Sequence, residues 1–314
     1  MEEALYSQFG FFNTDLVRSA KKGDFLTSPE VSIYFGKILR NWINTSCNLN
    51  KIVEIGSGTG SLIEQIGIKE ITAIELSSTA REELINKGIM THTNVNELTL
   101  EKSELVFGNE ILDNIPCSIG IYRDKVWYEK VVAIQENSFS YDIKPIRNEE
   151  LDWINKNNIV PNEDHELEIQ VNIDKFLNTV IKKISPKNIL LFDYGYEQAN
   201  REKRKYNSFL RTYKNHHLSV DPIEDPGNID ITYDVNFSSL SRELKTLGYD
   251  VTLKLQRNFL LENGFDIIFD ELQEKYLVAE GMEKLKINSE LNGLKAIVDS
   301  NGLGGFYCLN AQKL

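Results

Sequence analysis

Lys51-Ile52-Val53-Glu54-Ile55-Gly56-Ser57-Gly58-Thr59-Gly60 is the stretch on which the reading of this chain turns. Lys51 to Ile55 has the composition of a short buried strand, and it runs straight into three glycines at alternate positions. Glycine tolerates positive φ and carries no Cβ to block an approaching ligand. Residues 61–67 suit a short helix, whose first N–H groups have no partner within the helix and attract polar ligands. Gly56, Gly58 and Gly60, with Ser57 between them, therefore read as a ligand cradle; the plainer reading is a tight turn.

The next strand, Glu70 to Leu76, ends near an acidic residue. Glu75 stands about where a dinucleotide-type fold places the carboxylate that accepts from ribose hydroxyls; a solvated carboxylate at a strand end is the alternative. Nicotinamide sites carry G-x-G-x-x-G or G-x-G-x-x-A. Here the spacing is G-x-G-x-G, and Ser61 holds the last position of the nicotinamide pattern. Glu54, just before the glycines, suits a cofactor with a cationic amino group better than one with a pyrophosphate. The loop thus points to S-adenosylmethionine, with a nicotinamide oxidoreductase as the weaker alternative. Leu76 and Asn94 join Glu54, Gly56, Ser57, Gly58, Gly60 and Glu75 as candidate cofactor-binding positions.

Outward from the loop, Ser78–Lys87 is helical in composition, and Ser103–Gly108 and Asn188–Asp193 are further strands. Strands alternating with helices predict an α/β fold: a Rossmann-like sheet with helices on both faces. Residues 251–257 and 305–313 are candidate closing strands, with a helical segment from about 265 to 285. Thr27-Ser28-Pro29-Glu30 reads as a helix start. That helix continues through Val31, Tyr34, Phe35, Ile38, Leu39 and Trp42, an apolar stripe expected in the core. Ile119–Tyr122, Val126–Tyr128 and Val131–Ile134 read as successive short antiparallel strands that interrupt the α/β rhythm. The charged run Arg201–Lys205 reads as a solvated face.

Composition narrows the class. The chain has 314 residues with 41% hydrophobic and 26% charged residues, which is ordinary for a globular protein. Its 35 Lys and Arg against 47 Asp and Glu give a net charge of -12. That balance argues against a nucleic-acid partner, whose phosphates need a basic field, and favours a cationic or basic protein surface. Cys47, Cys117 and Cys308 are scattered, and the four histidines lack ligand spacing, so neither a disulfide framework nor a metal site is expected. The acidic start Met1-Glu2-Glu3 and the lack of a long apolar run lead to a cytoplasmic expectation without membrane insertion.

Several segments together resemble one family. They are Met1–Tyr6 with Gly10-Phe11-Phe12; Gly23–Ser32; Asn109-Glu110-Ile111-Leu112-Asp113-Asn114-Ile115-Pro116, an N-E-x-x-D-x-x-P element; Asp193–Tyr196; and Asp225–Thr232 with Val235-Asn236-Phe237. In this order and spacing they are similar to the MidA family, predicted methyltransferases whose mitochondrial members assist assembly of respiratory complex I. The resemblance implies a seven-stranded methyltransferase core with β-rich or irregular insertions, and arginine on a partner protein as the methyl acceptor. On this reading residues 1–50 form an N-terminal helical segment closing on the core. Residues 51–314 form the methyltransferase domain, with insertions at about 117–175 and 197–237.

The candidate chemistry follows. A guanidinium acceptor needs carboxylates to orient it. Glu110 is the candidate acceptor-orienting group, with Asn109 and Asp113 beside it; local capping or pairing is the alternative for Asp113. Asp193, Tyr194, Arg211, His216 and His217 are candidate substrate-binding residues. Thr27 and Ser28 either cap a helix or close over the cofactor. Two functions stay open: a methyltransferase acting on protein arginine, and a non-catalytic cofactor-binding assembly factor.

Overall fold

The computed structural model describes residues 1–13, 27–48, 50–99, 102–136, 138–201, 208, 210–214, 217–218 and 221–314, with the backbone alone at 214, 217 and 218. The chain forms two compact units that interleave along the sequence. One comprises Met1–Thr14, Leu112–Thr179 and Gly195–Leu247; the other comprises Asp15–Ile111, Val180–Tyr194 and Gly248–Leu314. Spatial division thus places the first helix, Glu2–Tyr6, and the helix Tyr34–Ser46 in different units, although chain order suggests one N-terminal segment ending near residue 50.

The second of these units holds a seven-stranded sheet. Its strands are β1 (Ile52–Ile55), β2 (Ile71–Ile74), β3 (Met90–His92), β4 (Leu105–Asn109), β5 (Asn188–Asp193), β6 (Tyr249–Leu255) and β7 (Tyr307–Lys313). They lie in the order β6-β7-β5-β4-β1-β2-β3. β1 pairs in parallel with β2 and β4, β2 with β3, and β4 with β5. β7 runs antiparallel between β5 and β6. The chain steps outward from β1 to β3 and then returns to β4, so the order reverses between β1 and β4. A crevice opens at such a reversal, outside the carboxyl ends of the strands.

Strand alternation gives the sheet two apolar faces. On one face, Ile52, Ala73, Leu105, Phe107, Leu190 and Phe192 join a core with Phe35, Ile38, Leu39, Trp42 and Ile43 of the helix Tyr34–Ser46. Phe35 and Phe259 each meet Phe192 edge-on at 5.2 Å between ring centroids. The Trp42 stripe is therefore core, as its spacing suggests. Val53, Val106, Ile189 and Leu191 are buried on the opposite face.

The helix expected from Thr27 through Trp42 is two helices, Ser28–Val31 and Tyr34–Ser46. Ser32 between them is extended, with φ -146° and ψ 122°. Its hydroxyl accepts from the Tyr34 N–H at 3.3 Å, a local serine turn that leads into the second helix. Towards the C-terminus, the strand expected at 251–257 stops at Leu255. Gln256, wholly buried, begins the helix Gln256–Glu262, and its side chain donates to the Ile297 carbonyl at 2.9 Å. The helical segment expected from 265 to 285 is the pair Phe265–Val278 and Gly281–Ala296.

The first unit is antiparallel in its largest part. A four-stranded sheet runs in the order Ser138–Pro145, Val126–Gln135, Ser118–Arg123, Glu166–Ile169. Two of the three short strands expected here form one strand, Val126–Gln135. The two charged residues between them are matched across the sheet: Glu129 faces Lys144 and Arg147, and Lys130 reaches Glu166 at 2.5 Å. The helix Asn148–Lys156 buries Trp153 and Ile154 against Leu167 and Ile169. A short sheet pairs Leu210–Lys214 with Asp230–Tyr233 and His217–Leu218. Gly195 pairs in parallel with Val235, where a Cβ on residue 195 would stand 2.1 Å from the Val235 carbonyl oxygen. Of the charged run Arg201–Lys205, only Arg201 lies within the described residues.

Candidate active site

The glycine loop follows β1. Gly56, Gly58 and Gly60 take φ of +69°, +51° and +83°, the left-handed region that favours glycine. Gly60 caps the helix Ser61–Ile66, and a Cβ there would meet Leu84 Cδ2 at 2.7 Å. The loop is tied to the end of β2 by Glu75. One carboxylate oxygen accepts from the Gly58 N–H and the other from the Ser77 N–H, each at 2.8 Å. The Arg81 guanidinium donates to the carbonyls of Glu75 and Leu76. Burial raises the Glu75 pKa, against the lowering pull of the Ser77 and Gly58 N–H groups and Arg81. Glu75 is thus a fixed part of the loop, its carboxylate held by backbone N–H groups.

Glu54 lies one strand over. It is 2% exposed, and its Oε2 has no hydrogen-bond partner. Burial pushes its carboxyl well above the usual range; the Ser57 hydroxyl pulls the other way, and the Glu75 charge adds to the rise. Ser57 Oγ also donates to the Glu54 carbonyl at 3.3 Å. A buried acid without a cation among the described residues fits a visiting cationic group.

The other cofactor candidates divide. Leu76 is 42% exposed beside Glu75. Asn94 is spent locally: its oxygen accepts from the Asn96 N–H at 2.9 Å, and its amide donates to Glu97 at 3.0 Å. Thr27 and Glu30 form a capping box. Ser28 is fully buried and donates to Gln256 at 3.2 Å. The Pro29 carbonyl accepts from Gln65, on the helix after the glycine loop, at 2.6 Å. The Thr27–Glu30 turn is therefore built into the same unit as the loop.

At the carboxyl end of β4, Asn109 donates from Nδ2 to Glu110 Oε1 at 3.0 Å, while Asn109 Oδ1 is buried without a hydrogen-bond partner. Glu110 has φ +53°, uncommon for a residue with a Cβ. Its N–H donates to the Phe192 carbonyl of β5 at 2.8 Å. Asp193, wholly buried, accepts from the Tyr194 N–H at 2.9 Å, and Tyr194 meets Phe306 edge-on at 5.3 Å. Glu54, the loop, Glu75, Leu76, Asn109, Glu110, Asp193 and Tyr194 thus gather at the carboxyl ends of β1, β2, β4 and β5 in one unit.

Asp113, Arg211 and His217 belong to the other unit. There Asp113 is buried, and its carbonyl accepts from the Tyr233 N–H at 3.2 Å. The neighbouring Asn114 donates to Asp230 at 2.9 Å, which fastens the second half of the N-E-x-x-D-x-x-P element to the Asp225–Thr232 motif. Arg211 is ion-paired with the buried Asp234. The backbone of His217 lies in a short strand, and His216 lies outside the described residues. Sequence reasoning passed over Arg81, six residues past Glu75 at the start of a helix, and Ile111, hidden as one apolar letter inside the N-E-x-x-D element.

A family model described as "Putative S-adenosyl-L-methionine-dependent methyltransferase" matches residues 36–253, more than half of the chain. The chain belongs to that family of S-adenosylmethionine-dependent methyltransferases, and the resemblance to the MidA family stands. Among curated relatives, the mitochondrial protein arginine methyltransferase NDUFAF7 homolog of Caenorhabditis elegans is 25% identical over 309 residues, covering 83% of this chain and 70% of the relative. The mitochondrial protein arginine methyltransferase NDUFAF7 of Rattus norvegicus is 25% identical over 300 residues, covering 81% and 67%. A crystal structure of a protein from Burkholderia thailandensis bound to S-adenosyl-homocysteine has a TM-score of 0.83 at 21% identity, covering 99% of this chain and 86% of that one. That likeness supports the fold. The cytoplasmic expectation is overturned, because the nematode, rat and fly relatives are all named mitochondrial. It rested on the acidic start and the lack of a long apolar run, neither of which identifies a compartment.

Proposed function

We propose that this methyltransferase acts on arginine of a protein, with the glycine loop as cofactor site and Glu110 as the acceptor-orienting carboxylate. The observation that carries the reading is the link from the Gly58 N–H to Glu75, which joins loop and ribose-type carboxylate in one rigid edge. The names of the curated relatives support the acceptor class.

The residues present fit S-adenosylmethionine. Gly56, Gly58 and Gly60 leave room for close approach, Glu75 offers lone pairs to ribose hydroxyls, and the unpartnered Glu54 Oε2 suits an ammonium. When bound, the cofactor supplies an electrophilic methyl on a sulfonium. The chain supplies position. Glu110, steadied by the Asn109 amide, accepts N–H bonds from the guanidinium and turns one nitrogen towards the methyl. Transfer breaks a carbon–sulfur bond, forms a carbon–nitrogen bond and releases one guanidinium proton. Asp193 and Tyr194, at the end of the adjacent strand, line the acceptor side.

Incubation with labelled S-adenosylmethionine and mitochondrial protein, followed by mass spectrometry, tests this. Label on arginine supports the reading. Label confined to lysine, to carboxylates or to small molecules overturns the acceptor class.

A further inference from the structure

Ile111 sits next to Glu110 and touches the cofactor loop. A Cβ placed on Gly56 would stand 2.3 Å from Ile111 Cγ2, and one placed on Gly108 would stand 2.7 Å from Ile111 Cδ1. The isoleucine therefore fills the space over two bare α-carbons, one at the start of the glycine loop and one at the end of β4. The chain turns after β4 through a left-handed backbone at Glu110, with φ +53°. The Glu110 N–H is meanwhile fixed to the Phe192 carbonyl at 2.8 Å and its carboxylate to the Asn109 amide at 3.0 Å. The turn is thus held by β5, by its own asparagine and by the glycine loop.

We propose that Ile111 is a positioning residue that couples the glycine loop to the Asn109–Glu110 turn, so that each holds the other in place. The β-branch does most of this work, because Cγ2 is the atom against Gly56. The glycine at 56 has two reasons: its positive φ of +69°, and the room that Ile111 occupies. By reciprocity, a ligand that orders the loop also orders the turn, and loosening the turn weakens the ligand. The inference rests on reading the loop as the cofactor site, and its test separates the two claims.

The test compares the parent protein with Ile111→Val, which keeps the β-branch, and Ile111→Ala, which removes it, each first checked for cooperative thermal unfolding. Amide exchange at Gly58 and Gly60 is measured by NMR without ligand, and S-adenosylhomocysteine is titrated by calorimetry. The expected result is that Ile111→Ala speeds exchange about tenfold and weakens binding about tenfold, while Ile111→Val stays within about twofold. Unchanged exchange in Ile111→Ala, or an Ile111→Val protein as loose as Ile111→Ala, overturns the coupling. If the parent takes up no S-adenosylhomocysteine, the proposed function fails while the exchange rates still decide the role of Ile111.

Discussion

Two regions of this protein bury glutamates, and they treat the charge differently. In the antiparallel unit, Glu129 on the strand Val126–Gln135 and Glu150 on the helix Asn148–Lys156 are held by groups of their own unit: Arg147 contacts both, Lys144 reaches Glu129 at 3.3 Å, and Ser118 donates to Glu150 at 3.0 Å. At the carboxyl edge of the parallel sheet, Glu54 is as deeply buried, yet no such cation meets it among the described residues, and burial drives its pKa upward. A buried charge matched within the fold is structural; one left unmatched is the candidate for a ligand's cation.

The largest expected break of this contrast is at the loop. Gly58→Val puts a β-branched side chain at φ +51°, on the residue whose N–H holds Glu75, and should abolish S-adenosylhomocysteine binding by calorimetry while circular dichroism still reports a folded chain. Next in size, Glu110→Gln should lower arginine methylation about a hundredfold, about 2.7 kcal/mol, with S-adenosylhomocysteine affinity unchanged. A parallel loss of cofactor affinity would place Glu110 in the wrong site.

Titration of Glu54 gives a smaller, signed effect. Its folded pKa lies above the ordinary value of 4.5, so the ionised form is disfavoured in the ligand-free fold. This group's contribution to stability therefore worsens as pH rises from about the unfolded value towards the raised one. A cationic ligand needs the carboxylate, so affinity for S-adenosylmethionine should fall as pH drops through the raised pKa. Glu54→Gln should flatten that pH profile and raise the Tm of the ligand-free protein by a few degrees. A profile that keeps its slope in the variant would remove Glu54 from the site. The smallest effect on binding is expected at Arg147→Met. It should cost about 1–2 kcal/mol in urea unfolding, because the buried Glu150 loses its cation while Glu129 keeps Lys144 and the half-exposed guanidinium is partly screened, yet leave cofactor affinity within about twofold.

The same contrast explains what was legible in the sequence. The parallel sheet was readable because β1, β4 and β5 are buried on both faces and read as short apolar runs, interrupted in β1 by Glu54 alone. β3 escaped, being three residues long with Met90 exposed. The glycine loop and Glu75 were readable because backbone geometry demands their residue types. The break at Ser32 was hidden by continuous helical spacing on both sides; only the bond of its hydroxyl to the Tyr34 N–H reveals it. The strand Val126–Gln135 reads as two because Glu129 and Lys130 interrupt its apolar residues, and only their cross-strand partners show that the strand runs through them. Asn94 and Asp113 are candidates by sequence neighbourhood alone; what the sequence does not show is that Asn94 also caps a local turn and that Asp113 falls in the other unit. Ile111 carried no signal of its own, because its meaning lies in two distant glycines.

The most direct test of the central claim is a calorimetric titration of the purified protein with S-adenosylmethionine, S-adenosylhomocysteine and NAD, repeated with Glu54→Gln. The account predicts saturable binding of the first two, none of NAD, and weaker binding of both ligands to the variant. Binding of NAD in preference, or identical affinities in parent and variant, would contradict it.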